Sequence, residues 1–167
     1  MFDLLSASDY IFFMGHGSPE SFSTNEHIAK FNLENVVDVD FQENHPLISG
    51  YFSCNTGLLH AEGPSFSTEF LRAGAAAFFA RTTEEGTPAF FTENFESYLK
   101  GDGPSGRYRV GDAMSELMRE TVVLKGDIER KSAMQLVMYG DPTLKRTAYE
   151  LAATAVMPLA KASISRR

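Results

Sequence analysis

The sequence predicts an α/β fold of three layers, with helices on both faces of a mainly parallel sheet, and three observations predict it. Four apolar runs at 10–14, 47–53, 75–80 and 134–139 are short enough to be buried strands rather than helices. Segments with helical spacing lie between them, and strands that alternate with helices assemble into parallel sheets covered on both sides. The length agrees, because 167 residues, 43% hydrophobic and 12% aromatic, suffice for one domain with a substantial core.

Residues 1–9 read as a helical turn or entry loop. Tyr10 to Met14, YIFFM, is continuously apolar and aromatic, which marks a fully buried strand, and Gly15-His16-Gly17 ends it. Glycine on both sides of His16 lets the backbone turn tightly and approach a ligand closely. Ser18-Pro19 opens a polar connection, with a short helix expected at 25–31 and an accessory strand or loop at 35–41. His45-Pro46 leads into the second main strand, LISGYFS, which stops on Cys54.

A helix is expected over 65–73, with Phe66, Phe70 and Leu71 on one face and Gly74 as its stop. The strand at 75–80, running on to Arg81, comes next, then a loop at 82–86. Thr87 and Pro88 are suited to cap a further helix that buries Phe91, Phe95, Tyr98 and Leu99 and ends at Gly101. After a turn-rich stretch at 101–109, Val110, Ala113, Met114, Leu117, Met118 and Thr121 recur at 3.6-residue spacing. MQLVMY then forms the fourth strand, closed by Gly140-Asp141-Pro142. From Thr147 the alanine-rich end predicts a C-terminal helix or flexible tail at 147–167, outside a main domain at 1–146.

Charge narrows the function classes. A net charge of −7 without a basic face argues against nucleic acid as a partner. No apolar run reaches the roughly 18 to 20 residues of a membrane span. A single cysteine excludes an intramolecular disulfide and a multi-thiolate zinc site, leaving a core residue or a reactive thiol. His27, His45 and His60 have no paired spacing for a metal, so neither metal nor cofactor is expected. Without a secretory leader the expected setting is the cytoplasm, with secretion open if a longer parent carries one.

The chemistry lies at two strand ends. In parallel sheets ligands sit at the carboxyl ends of the strands, where both His16 and Cys54 fall. If their strands are neighbours, roughly 4.8 Å apart, an imidazole and a thiol on the tips come close enough to act together. A cysteine attacks as its thiolate, and a histidine is a common base for it near neutral pH. Backbone N–H groups at Gly17 and Cys54 are placed to receive a developing oxyanion. The bland alternative is a lone, inert, buried cysteine.

GHG at 15–17, SCNTG at 53–57, GPSFSTEFLRAGAAAFF at 63–79 and YGDPTL at 139–144 resemble, in that order, the caspase-like cysteine peptidases, closest to their gingipain and CHAT branches. The resemblance covers 10–146 and implies a cysteine endopeptidase of α/β/α caspase-like fold acting on a protein or peptide substrate. It implies His16 as general base and acid, Cys54 as nucleophile, and the N–H groups of Gly17 and Cys54 as the oxyanion site. That family's domain begins with two strands and a helix before the histidine strand, whereas 15 residues precede His16 here. The chain therefore reads as an N-terminally incomplete domain of a longer parent with further domains or a companion segment.

Glu84 and Glu85 follow the third strand, where they are placed to favour a basic substrate side chain; the plainer reading makes them solvated loop carboxylates. Two other functions stay open. One is a catalytically silent, caspase-like interaction or regulatory module, whose histidine strand offers an open edge to a partner strand. The other is a thiol hydrolase or acyltransferase using the same two residues.

Overall fold

The computed structural model describes residues 8–23, 30–41, 45–59, 63–84, 94–95, 97–98, 109–145 and 154–157. The expected entry segment, most of the helix after Thr87 and the connection at 101–108 lie outside them.

Five strands form the main sheet: β1 (Tyr10–Met14), β5 (Leu47–Phe52), β6 (Ala77–Arg81), β7 (Leu136–Gly140) and β8 (Thr154–Met157), in the order β7-β6-β5-β1-β8. The pairs β8–β1, β1–β5 and β5–β6 are parallel and β6–β7 is antiparallel, so the sheet is mainly parallel. A second sheet is a small antiparallel meander of β2 (His16–Ser18), β3 (Ser21–Ser23) and β4 (Lys30–Asn32). Helices α1 (Leu33–Val37), α2 (Phe66–Arg72), α3 (Val110–Leu124) and α4 (Asp127–Ala133) flank the sheets, and Asn94, Phe95, Ser97 and Tyr98, within the helix expected after Thr87, are helical as well.

Side chains alternate across the sheet and fill two separate cores. On one face Tyr10, Leu47, Ala77, Phe79 and Leu136 pack against Phe95, Tyr98 and the α3 residues Val110, Ala113, Met114 and Leu117. On the other, Ile11, Phe13, Ile48, Phe78 and Ala80 meet Phe22 and Phe31 of the small sheet, Val36 of α1 and Phe66 and Phe70 of α2. Three layers result because a parallel sheet with both faces apolar must be covered twice. The 3.6-residue stripe of α3 is buried as its spacing requires, with Thr121 tied to the carbonyl of Leu117 at 2.7 Å.

Helix α2 stops as the sequence implies. Gly74 has φ of 105°, and its N–H bonds to the carbonyl of Leu71 at 3.1 Å while that of Ala75 reaches Phe70 at 3.0 Å. These two bonds form a Schellman stop, which calls for a residue of left-handed conformation and so favours glycine.

Four expectations are corrected. The segment after Ser18, read as a polar connection, contains a hairpin instead; of the helix expected at 25–31, residues 25–29 lie outside the described residues, and Lys30 and Phe31 are in strand β4. The stretch 35–41, expected as a strand or loop, holds most of α1. Asn32 and Asn35 cap that helix reciprocally: each accepts the other's backbone N–H, at 3.2 Å and 2.8 Å. Of the C-terminal segment expected as helix or tail, Thr154–Met157 is a strand of the main sheet. That strand pairs with β1, so the histidine strand is not an open edge but lies between β5 and β8.

Candidate active site

Parallel neighbours place their carboxyl ends side by side, and β1 and β5 are such neighbours. Phe12 pairs with Ser49 and Met14 with Phe52, so β5 takes up one extra residue between these points and the two tips finish level. His16 follows Met14 by two residues and Cys54 follows Phe52 by two. The chain segments carrying the imidazole and the thiol therefore leave the same edge together.

Gly17 is the point of contact between them. A Cβ on it would lie 2.6 Å from the carbonyl oxygen of Cys54, 2.7 Å from the Cβ of Ser53 and 2.7 Å from the Cγ2 of Thr56. No other residue type fits that approach, which explains the second glycine of the GHG motif by space rather than by flexibility. Gly17 faces Phe22 across the hairpin, and the ring of Phe22 is fully buried, stacked on Phe13 at 4.3 Å and tilted against Phe66 at 4.5 Å. The hairpin that presents His16 is thus nailed to the core at the position opposite Gly17. Its turn is Pro19-Glu20, and by the alternation of an antiparallel ladder Ser18–Ser21 and His16–Ser23 are the hydrogen-bonded pairs, leaving the N–H of Gly17 turned away from β3.

The turn that carries Cys54 is held from all sides. Thr56 sends its hydroxyl back to the carbonyls of Gly50, at 2.9 Å, and Ser53, at 3.1 Å. Asn55 sits at φ of 57°, a left-handed position that asparagine tolerates better than most residues. Its N–H reaches Thr83 at 3.1 Å, and the N–H of Gly57 reaches Arg81 at 2.7 Å. From the far side Tyr139 of β7 donates its hydroxyl to the carbonyl of Gly57 at 2.7 Å, and burial pushes that phenol's pKa up.

Cys54 is half-buried and in no disulfide, and its Sγ donates to the carbonyl oxygen of Glu84 at 3.4 Å. His16 is exposed. Glu84 is exposed too, with Oε1 accepting from the side-chain amide of Asn55 at 3.2 Å. Four of the residues singled out from sequence, His16, Gly17, Cys54 and Glu84, therefore belong to one edge of the sheet, while Glu85 lies outside the described residues. His45 is elsewhere, its Nδ1 2.8 Å from the carbonyl oxygen of Gly74. A concavity of about 510 Å³ between α1 and α2, lined by Leu33, Val37, Pro64 and Arg72, includes neither His16 nor Cys54.

Sequence reasoning missed Thr83, Gln135 and the hydroxyl of Tyr139 as supports of the cysteine turn. No local pattern marks them, because each meets that turn, or the loop that holds it, only through folding. Among the described residues no group of three or more His, Cys, Asp or Glu is gathered as for a metal, and no helix is long and apolar enough to cross a membrane.

The model of peptidase family C25 matches residues 3–147 of the chain. The crystal structure of gingipain R, an Arg-specific cysteine proteinase, matches with a TM-score of 0.65 at 20% identity, over 86% of this chain and 35% of that one. A second solved structure, described only as a protease, matches with a TM-score of 0.56 at 12% identity, over 86% and 37% of the two chains. At such identities the likeness establishes the caspase-like fold. The chain spans little more than a third of the length of either structure. No curated protein matches it in sequence.

Proposed function

This chain belongs to peptidase family C25, and from that premise we propose that it is a cysteine endopeptidase acting through His16 and Cys54. The observation that carries the reading is the seating of Gly17 against the carbonyl of Cys54, which makes the two strand ends a single surface.

In the proposed reaction Sγ of Cys54 attacks the carbonyl carbon of the scissile peptide while its proton passes to the ring of His16. The N–H of Gly17, turned away from β3, and that of Cys54 receive the negative charge that develops on the carbonyl oxygen. His16 then gives the proton to the leaving amine, and a thioester on Cys54 remains. Water, losing a proton to His16, attacks the thioester; the acid is released and the proton returns to sulfur. The resting contact between Sγ and the Glu84 carbonyl requires a protonated thiol, because a carbonyl oxygen only accepts. That contact breaks as the thiolate forms.

Glu84 is proposed to bias the site toward substrates with a basic side chain before the cleaved bond. Asn55 holds one carboxylate oxygen beside the cysteine turn, and the exposed side chain can meet a cation arriving from solvent. Glu85 is proposed to add to the same field.

The test is cleavage of denatured casein together with labelling by a peptidyl acyloxymethyl ketone. Cys54→Ala should abolish both and leave the thermal midpoint unchanged; turnover retained by that variant refutes the assignment. His16→Ala should slow alkylation of Cys54 by iodoacetamide at neutral pH, and an unchanged rate removes the coupled pair. With fluorogenic peptides ending in arginine or in glutamate, Glu84→Gln keeps the acceptor for Asn55 but should lower the preference for arginine by about three- to tenfold, the scale of one partly exposed charge pair. An unchanged ratio removes Glu84 from specificity.

A further inference from the structure

We infer that Gln135 is a positioning residue for Cys54, acting at second hand through the loop that follows β6. The inference rests on the reading of Cys54 as the nucleophile. Gln135 sits between α4 and β7, and its two carbonyl groups collect the exit of β6 residue by residue. Its backbone oxygen accepts the N–H of Thr82 and the hydroxyl of Thr82, both at 3.1 Å. Its side-chain Oε1 accepts the hydroxyl of Thr83 at 2.6 Å and Nη2 of the buried Arg81 at 3.2 Å. Consecutive residues 81, 82 and 83 are therefore all fixed to a single acceptor residue.

What these residues hold is the far wall of the cysteine turn. The carbonyl of Arg81 accepts from Gly57, that of Thr83 from Asn55, and that of Glu84 from the thiol itself. The Sγ of Cys54 is thus oriented by Glu84, Glu84 follows directly on Thr83, and Thr83 is pinned at both ends: its carbonyl to the cysteine turn and its hydroxyl to Gln135. The bond from Thr83 to Gln135 is the shorter of the two, and it spans 52 residues of sequence. A side-chain amide is well suited to this task. It offers an oxygen with two lone pairs, enough for a hydroxyl and a guanidinium together, and adds no charge beside a thiol that must ionise during turnover. Loss of that oxygen frees the hydroxyl end of Thr83 and with it the Thr83 carbonyl that holds Asn55, so the cysteine turn is less firmly seated beside the segment that carries His16.

The experiment compares the second-order rate of Cys54 alkylation by iodoacetamide, read by intact mass at neutral pH, in the wild-type chain and four variants. Gln135→Ala and Thr83→Val should each react about five- to tenfold more slowly, the size expected for one lost hydrogen bond expressed at the thiol. Thr83→Ser keeps the hydroxyl and should retain at least about half of the wild-type rate. The double variant Gln135→Ala/Thr83→Val should be no slower than the slower single variant, because both changes cut the same link. In casein cleavage the loss should fall on kcat with KM within about twofold, since no substrate contact is removed. Wild-type or faster alkylation in both single variants, additive losses in the double variant, or a Thr83→Ser rate as low as that of Thr83→Val overturns the inference. Should Gln135→Ala not fold, the Thr83→Val and Thr83→Ser pair, a near-isosteric exchange at a half-buried position, decides it alone. Absence of casein cleavage in the wild-type chain defeats the peptidase proposal instead, and the alkylation comparison still reads the placement of Cys54.

Discussion

At the scale of single residues the site is governed by contacts too close for any side chain. Gly17 is seated on the Cys54 carbonyl, so a methyl group there must push the hairpin and the cysteine turn apart. We expect Gly17→Ala to cost about 1 to 3 kcal/mol, the range for overpacking. Because the strain falls between the proposed base and nucleophile, casein cleavage should drop far more than a thermal melt would suggest. A variant with wild-type turnover would show that the two segments are not mechanically joined. The neighbouring Asn55 and Thr56 belong to the same picture: one accepts the left-handed conformation of the turn and the other closes it with a hydroxyl bonded to two carbonyls.

At the scale of elements, the hairpin of β2 and β3 contributes little by itself, since two strands of three residues each cannot hold a shape in water. What stabilises it is Phe22, inserted among Phe13, Phe66 and the other rings of its core. Removing that ring by Phe22→Ala should cost about 3 to 5 kcal/mol, as for other buried aromatic deletions. Urea denaturation measures the cost directly. The same variant should lose the proposed coupling between His16 and Cys54, seen as slower iodoacetamide alkylation under conditions where the chain is still folded. Stability lost without any change in alkylation would mean that the hairpin holds its position by other contacts. Helix α1 shows the opposite balance, since at five residues it relies on the reciprocal Asn32 and Asn35 cap at its start.

At the scale of the whole molecule, two cores on opposite faces of the main sheet must both persist for the sheet to hold the site. The core beside α3 contains an ionisable group, Tyr98, 7% exposed, whose hydroxyl donates to Glu120. Burial, then the bond to Glu120 and the charges of Glu120 and Glu116, push its pKa up to about 12 from an ordinary 10.0. The folded chain thus holds this proton more tightly than the unfolded chain does. Its contribution is complete below pH 10 and is lost as the pH rises toward about 12. Denaturation midpoints measured between pH 9 and pH 12 (roughly, the span of that titration) should fall for the wild-type chain and fall less for Tyr98→Phe. Parallel curves would show that Tyr98 does not carry the alkaline loss.

What the sequence determined by itself is whatever a short window of residues can encode. The aromatic run of β1, the apolar run of β5, the stripe of α3 and the Gly74 stop of α2 were each legible because burial imprints its period on neighbouring residues. His16 and Cys54 were legible as strand ends for the same reason. Tertiary structure alone decided that β1 and β5 are neighbours, that β8 covers the outer side of β1, and that the small sheet is folded back onto Cys54. It also decided which groups orient the thiol, since Cys54 and Glu84 are 30 residues apart and Thr83 and Gln135 are 52 apart. A polar residue that supports a site across such distances has no periodicity to betray it, because a hydrogen bond depends on where two atoms meet and not on the residues between them.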